Sequence, residues 1–161
     1  MSDIFYKEFS YAIIKDVSIK FWNILPRIIR IDTNKKIMSD IIYKEESYAI
    51  IGLCMEVHNK LGHGFSEIVY KDALEIEFVK NDIFFEREKE YSIEYKGQIL
   101  KHRFYADLIV FDNIILEVKC VQSLLDEHVS QVINYLRASD KKLGLLINFG
   151  RDKLEYKRLV Y

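Results

Sequence analysis

Two segments of this chain, FYADLIVF (104–111) and IILEVKC (114–120), are apolar on both faces except at Asp107, Glu117 and Lys119. A strand with one face in water alternates apolar with polar residues, so runs like these belong at the centre of a sheet covered on both sides. A buried carboxylate or ammonium without a partner is costly enough to unfold a small domain. The three charged residues are therefore expected to pair with one another or to bind a metal ion.

The flanking sequence supplies the cover. Ile50, Cys54, Val57 and Leu61 recur at helical spacing, and Gly62 is a natural C-terminal stop. Ser66 is placed to cap a second helix with the stripe Tyr70, Ala73, Leu74, Glu77 and Phe78, ending near Lys80. Tyr91, Ile93 and Tyr95 alternate with polar residues, Lys96-Gly97 makes a tight turn, and a second strand begins at Ile99. Ser123-Leu124-Leu125-Asp126 reads as a capping box ahead of a helix whose apolar face is Leu125, Val129, Val132, Ile133 and Leu136. LGLLINF (143–149) is another buried strand, and LEYKRLVY is suited to a sheet edge. The expected architecture is α/β, a mixed sheet of four to five strands flanked by helices.

The first 14 residues, MSDIFYKEFSYAII, return at 38–51 as MSDIIYKEESYAII. The match goes no further, which excludes a solenoid of stacked repeats and points to a duplicated start. Residues 1–37 are read as an appended remnant and 38–161 as the domain. The alternative for the first segment is an amphipathic helix through Phe21, Trp22, Leu25, Ile28 and Ile29 that docks on a partner, the domain or a membrane surface.

The chain is half hydrophobic and 30% charged, with one proline and six glycines, the profile of a compact fold rather than a disordered tail. Cys54 and Cys120 are too few and too far apart for a disulfide framework or a zinc set; both are expected to be buried thiols in a reducing compartment. No apolar run approaches the length of a membrane span, so the expected location is cytoplasmic with no membrane partner. The net charge of −1 is unevenly spread. The last 25 residues carry seven Lys or Arg against three Asp or Glu, among them Arg137, Lys141, Lys142, Arg151, Lys153, Lys157 and Arg158. Such a cluster is more often a solvated helix end and a charged edge strand than a phosphate-facing surface.

Two carboxylates from neighbouring strands, followed two residues later by a lysine, are what a Mg²⁺-assisted attack on a phosphodiester requires. Asp107 and Glu117 would hold the ion, the Val118 carbonyl would complete its ligands, and Lys119 would position or deprotonate the attacking water. A two-residue turn at Asp112-Asn113 would set Asp107 opposite Val118 and send the two carboxylates to opposite faces. A three-residue loop or a β-bulge is therefore predicted in this hairpin.

Asp107, then Glu117-Val118-Lys119, resembles the D...(D/E)xK signature of the PD-(D/E)XK nucleases. Gly64-Phe65-Ser66-Glu67-Ile68-Val69-Tyr70 is similar to the motif that names the GxxExxY proteins, a branch of that superfamily, and Gln131 to Tyr135 resembles the QxxxY element of RecB-like members. Ala106 stands where the signature has proline. The resemblance covers 38–161. It implies a restriction-endonuclease-like core and hydrolysis of nucleic acid, DNA or RNA, with Mg²⁺ or Mn²⁺. Glu67 would bind or orient a second ion, or else complement its helix dipole. Gln131 and Tyr135 would order the phosphate or the lysine. His128, Gln131 and Tyr135 share a helix face, and His128 alone of the histidines has reason to approach the site. Tyr70 and Tyr135 also suit core positions with satisfied hydroxyls, and His58 and His63 ordinary hydrogen bonds. The competing reading is a nuclease-fold module whose charges form a structural network while it docks to nucleic acid or protein. A homodimer that cuts two strands is compatible with either.

Overall fold

The computed structural model describes residues 41–161. The duplicated segment, 1–37, and the docking helix read there lie outside the described residues. Two helices come first, α1 (Lys44–Leu61) and α2 (Glu67–Lys80), then β1 (Phe85–Tyr95), β2 (Gln98–Val110) and β3 (Ile114–Lys119). Helix α3 (Asp126–Ser139), β4 (Leu143–Asn148) and β5 (Glu155–Val160) complete the fold. The sheet order is β1-β2-β3-β4-β5. The β3–β4 pair is parallel, with α3 as its crossover, and the other pairs are antiparallel. This is the expected mixed α/β sheet, with five strands.

Strand β4 is buried along its whole length, and β3 as far as Val118. Burial of that kind needs cover on both faces. Helix α3 supplies one side: Val132 and Leu136 pack with Ala106, Ile109, Ile115, Leu124 and Leu146. Helices α1 and α2 supply the other, burying Ile50, Leu53, Cys54 and Val57 from the first and Tyr70, Leu74 and Phe78 from the second. Tyr70 stacks on Phe149 at 4.4 Å and donates to the Gly62 carbonyl at 2.8 Å, a core aromatic with its hydroxyl satisfied.

Turn chemistry fixes the ends. Gly62 closes α1 at φ +72 with its N–H on the His58 carbonyl. Lys96 and Gly97 both have positive φ and join Tyr95 to Gln98 in a two-residue hairpin turn. Strand β1 begins at Phe85, six residues ahead of the alternating stretch that announces it. Its FEREKE start pairs on one side only, and an edge strand carries charge readily.

Three local expectations are corrected. Helix α3 starts at Asp126 with Leu125 in the cap position, not at a Ser123 capping box. His128 Nδ1 accepts the Leu125 N–H at 3.0 Å, doing from the third helical position what a Glu or Gln does in that motif. Ser66 stands at the start of α2, but its hydroxyl makes no capping bond. Cys54 is buried, whereas Cys120 is only half-buried; both are free thiols. No helix among the described residues is long and apolar enough to cross a membrane.

Candidate functional site

The β2–β3 hairpin carries the predicted three-residue loop. Val110 pairs with Ile114, Ile109 with Ile115 and Leu108 with Leu116, leaving Phe111, Asp112 and Asn113 as the connection. Phe111 and Asp112 take left-handed backbone conformations to make it. Continued by one residue, this register sets Asp107 across from Glu117. There the ladder opens, and Asp107 Oδ2 accepts the Val118 N–H at 2.9 Å.

Strand β2 is irregular at the same point. Ala106 and Ile109, three residues apart, both belong to the core under α3, which an unbroken alternation forbids. Across the β1–β2 pair, Glu88 faces this break with φ +49, between the Arg87–Leu108 and Lys89–Ala106 pairs. Asp107 is thereby turned to meet Lys71 of α2, whose Nζ lies 2.9 Å from Asp107 Oδ1.

Glu117 is 2% exposed. Its Oε1 accepts from Lys119 Nζ at 2.9 Å, while its Oε2 is buried with no hydrogen-bond partner. Burial first, and then the charge of Asp107, push the Glu117 carboxyl up to about 7, against the pull of Lys119. Burial pulls the Lys119 ammonium down, but the hydrogen bond to Glu117 and the charges of Glu117, Glu67 and Asp107 outweigh it, and its pKa is raised. Lys71 behaves alike: burial opposes, Asp107 and Glu88 prevail.

Glu67 is the first residue of α2, and its Oε1 accepts the Cys120 N–H at 3.3 Å. It thus does what an acidic first-turn residue does for the helix dipole and also reaches the end of β3 beside Lys119. Glu67 and Lys71, one turn apart, line an open cleft of about 640 Å³ with Gly64, Phe65, Ser66, Ile68 and Cys120. On α3, Gln131 Nε2 donates to the Tyr135 hydroxyl at 2.7 Å, and Tyr135 stacks on Phe104 at 4.5 Å. Burial raises the Tyr135 hydroxyl and Gln131 lowers it, with the charges of Glu117, Lys119 and Asp107 also felt there. His128 is spent on its helix cap. His58 bonds the Arg151 carbonyl and His63 pairs with Asp152. Of the C-terminal basic residues, Lys141 pairs with Asp112, Lys142 with Asp140, and Arg137 lies over the Tyr161 ring.

Lys71 escaped the sequence reading. Its neighbour Tyr70 marks the apolar stripe of α2, and a lysine beside such a stripe reads as surface; the only hint was its place one helical turn after Glu67. Among the described residues, no group of three or more His, Cys, Asp or Glu side chains is set to hold a metal ion. The donor set of Asp107, Glu117 and the Val118 carbonyl is nonetheless of the oxygen type that hard divalent cations take. The partnerless Glu117 Oε2, buried beside a second carboxylate, is an acceptor that a cation would satisfy.

No curated protein matches the chain. Among solved structures it is similar to the crystal structure of SSO0001, with 21% identity and a TM-score of 0.48, over 73% of this chain and 59% of that one. The chain therefore spans little more than half the length of that protein. A family profile described as the PD-(D/E)XK nuclease superfamily matches residues 44–159, which include both carboxylates, both lysines and the whole sheet apart from the last residue of β5. The chain belongs to the PD-(D/E)XK nuclease superfamily.

Proposed function

We propose that this protein is a nuclease that hydrolyses phosphodiester bonds in nucleic acid with Mg²⁺ or Mn²⁺, and that it belongs to the GxxExxY branch on the strength of Gly64, Glu67 and Tyr70. The observation that carries the reading is Glu117 Oε2: a buried carboxylate oxygen with no partner, next to a second carboxylate and a lysine. Asp107 and Glu117 would hold the ion, with the Val118 carbonyl as a further ligand and Glu67 auxiliary. The metal supplies charge neutralisation of the phosphate and a more acidic bound water.

The chain's own residues do the rest. Water adds to phosphorus and gives up one proton to the surrounding solvent, one P–O ester bond breaks, and the leaving oxygen takes one proton from solvent, so the exchange balances. Lys119 acts as an ammonium rather than as a base, since its surroundings hold the proton on, and it offsets the negative charge that builds on the phosphoryl oxygens. Gln131 and Tyr135 orient the phosphate or Lys119 from α3. His128 takes its part through the start of α3, which it caps.

The second reading is a nuclease-fold module that binds nucleic acid or a protein without turnover. It is favoured by the ion pairs themselves, which match Asp107 with Lys71 and Glu117 with Lys119. Labelled DNA and RNA, single and double stranded, incubated with Mg²⁺, Mn²⁺ or EDTA separate the two. Cleavage that needs the metal and disappears in Lys119→Ala is the expected result. Binding without cleavage under every condition establishes the second.

A further inference from the structure

Each of the two central carboxylates carries its own lysine. Lys119 reaches Glu117 Oε1 from two residues along the same strand, and Lys71 reaches Asp107 Oδ1 from helix α2, both at 2.9 Å. The Lys71 and Asp107 side chains are 11% and 17% exposed. The other Asp107 oxygen is taken by the Val118 N–H. Glu117 offers an oxygen with no partner, whereas each Asp107 oxygen already accepts one hydrogen bond, and a cation on Oδ1 would sit against the Lys71 ammonium.

Lys71 has somewhere to go. Glu88 Oε1 lies 3.6 Å from Lys71 Nζ on a side chain that is 58% exposed. Glu88 sits across the β1–β2 pair from Asp107, and its φ of +49 is one that non-glycine residues seldom hold inside a strand. That backbone interrupts the ladder and brings a third carboxylate to the pair. Without a metal, two lysines balance Asp107 and Glu117. Once a divalent cation sits on those carboxylates, a lysine still on Asp107 would face it at close range, and Glu88 is the group that relieves the repulsion.

We propose that Lys71 is a positioning residue for metal loading: it holds Asp107 while no divalent cation is bound, and passes to Glu88 when one takes Asp107 Oδ1. The inference rests on the reading of Asp107 and Glu117 as a metal site. It makes Lys71 a competitor of the metal and Glu88 an aid to binding, although neither touches the ion. Lys71 stays at the wall of the cleft, and its charge remains in the site for the phosphate.

The experiment is titration of Mg²⁺ and Mn²⁺ by calorimetry into the full chain and into Lys71→Met, Glu88→Gln and Asp107→Asn, with each melting temperature recorded in EDTA. Lys71→Met is expected to bind metal on the order of tenfold tighter while melting lower in EDTA, because the occupied state of Asp107 is removed. A merely structural Lys71 would lower stability without raising affinity. Glu88→Gln is expected to bind several-fold more weakly with its melting temperature in EDTA unchanged. Unchanged or weaker binding by Lys71→Met, where the wild type binds and Asp107→Asn does not, overturns the inference and leaves the metal site standing. Should Lys71→Met fail to fold, Glu88→Gln decides alone, and wild-type affinity there overturns the handover. A wild type that binds neither metal overturns the metal reading and this inference with it.

Discussion

Asp107 Oδ2 accepts the Val118 N–H at 2.9 Å, so a side chain of β2 stands in for the backbone where the β2–β3 ladder opens. The carboxylate is thus structural as well as a candidate ligand. An asparagine keeps an oxygen for that N–H, whereas an alanine leaves it buried and unpaired. Asp107→Ala is expected to lose about 1–3 kcal/mol more than Asp107→Asn in urea unfolding with EDTA, while both abolish metal-dependent cleavage.

Glu117 invites a different test. Its carboxylate is buried and has an oxygen without a partner, so ionisation costs the metal-free fold. Glu117→Gln keeps an acceptor for Lys119 and removes the charge. Removing that charge lifts the ionisation penalty but also takes the counter-ion from the part-buried Lys119 ammonium, so at pH 8 in EDTA the variant is expected to lie within about 1 kcal/mol of the wild type. Added Mg²⁺ should stabilise the wild type and leave this variant unmoved, a contrast that melting curves with and without metal will read.

The same group sets a pH dependence. The Glu117 carboxyl titrates at about 7 in the fold against an ordinary 4.5. Between those values the folded chain keeps a proton that the unfolded chain has lost, so its contribution to stability falls as pH rises through that window. Urea midpoints in EDTA at pH 5 and pH 7.5 should show the drop, and Glu117→Gln should flatten it. Metal binding displaces that proton. Calorimetry at pH 6 in buffers of different ionisation enthalpy should therefore register proton release in the wild type alone.

The strand ends beyond the site are clamped by Asn148, which is fully buried. Its side chain accepts from the Val121 and Gly150 N–H groups and donates to the Val121 carbonyl. A Cβ on Gly150 would fall 2.5 Å from the Val121 backbone, which has no freedom to retreat. Asn148→Ala and Gly150→Ala are each expected to cost about 2–4 kcal/mol, measured as a lowered urea midpoint with an unchanged slope.

Gly144 makes the complementary case. A Cβ there would clash with Val132 Cγ1, side chain against backbone, where α3 lies on β4. Gly144→Ala should cost about 1–3 kcal/mol by overpacking. Val132→Ala in the same chain should recover much of that loss, although Val132→Ala alone is destabilising. A double-mutant cycle of unfolding free energies measures the coupling.

The sequence by itself determined whatever is encoded within a few residues. The double-sided apolar runs made β3 central, the Lys96-Gly97 pair set one hairpin, and Gly62 ended α1. The expected facing of Asp107 and Glu117 called for a three-residue loop or a bulge, and Phe111, Asp112 and Asn113 form that loop. Periodicity and turn chemistry act over one or two turns of chain, which is why these features were legible. The tertiary structure alone decided the rest. Lys71 meets Asp107 across 36 residues of sequence, Glu88 takes a left-handed backbone across the β1–β2 pair from Asp107, and Glu67 reaches Cys120 from the start of another helix. His128, expected to approach the site, is taken by a cap that Ser123 had seemed to own. Long-range pairing has no local signature: which charge neutralises a buried carboxylate depends on which helix the finished sheet brings over it, and that is settled only when the core closes.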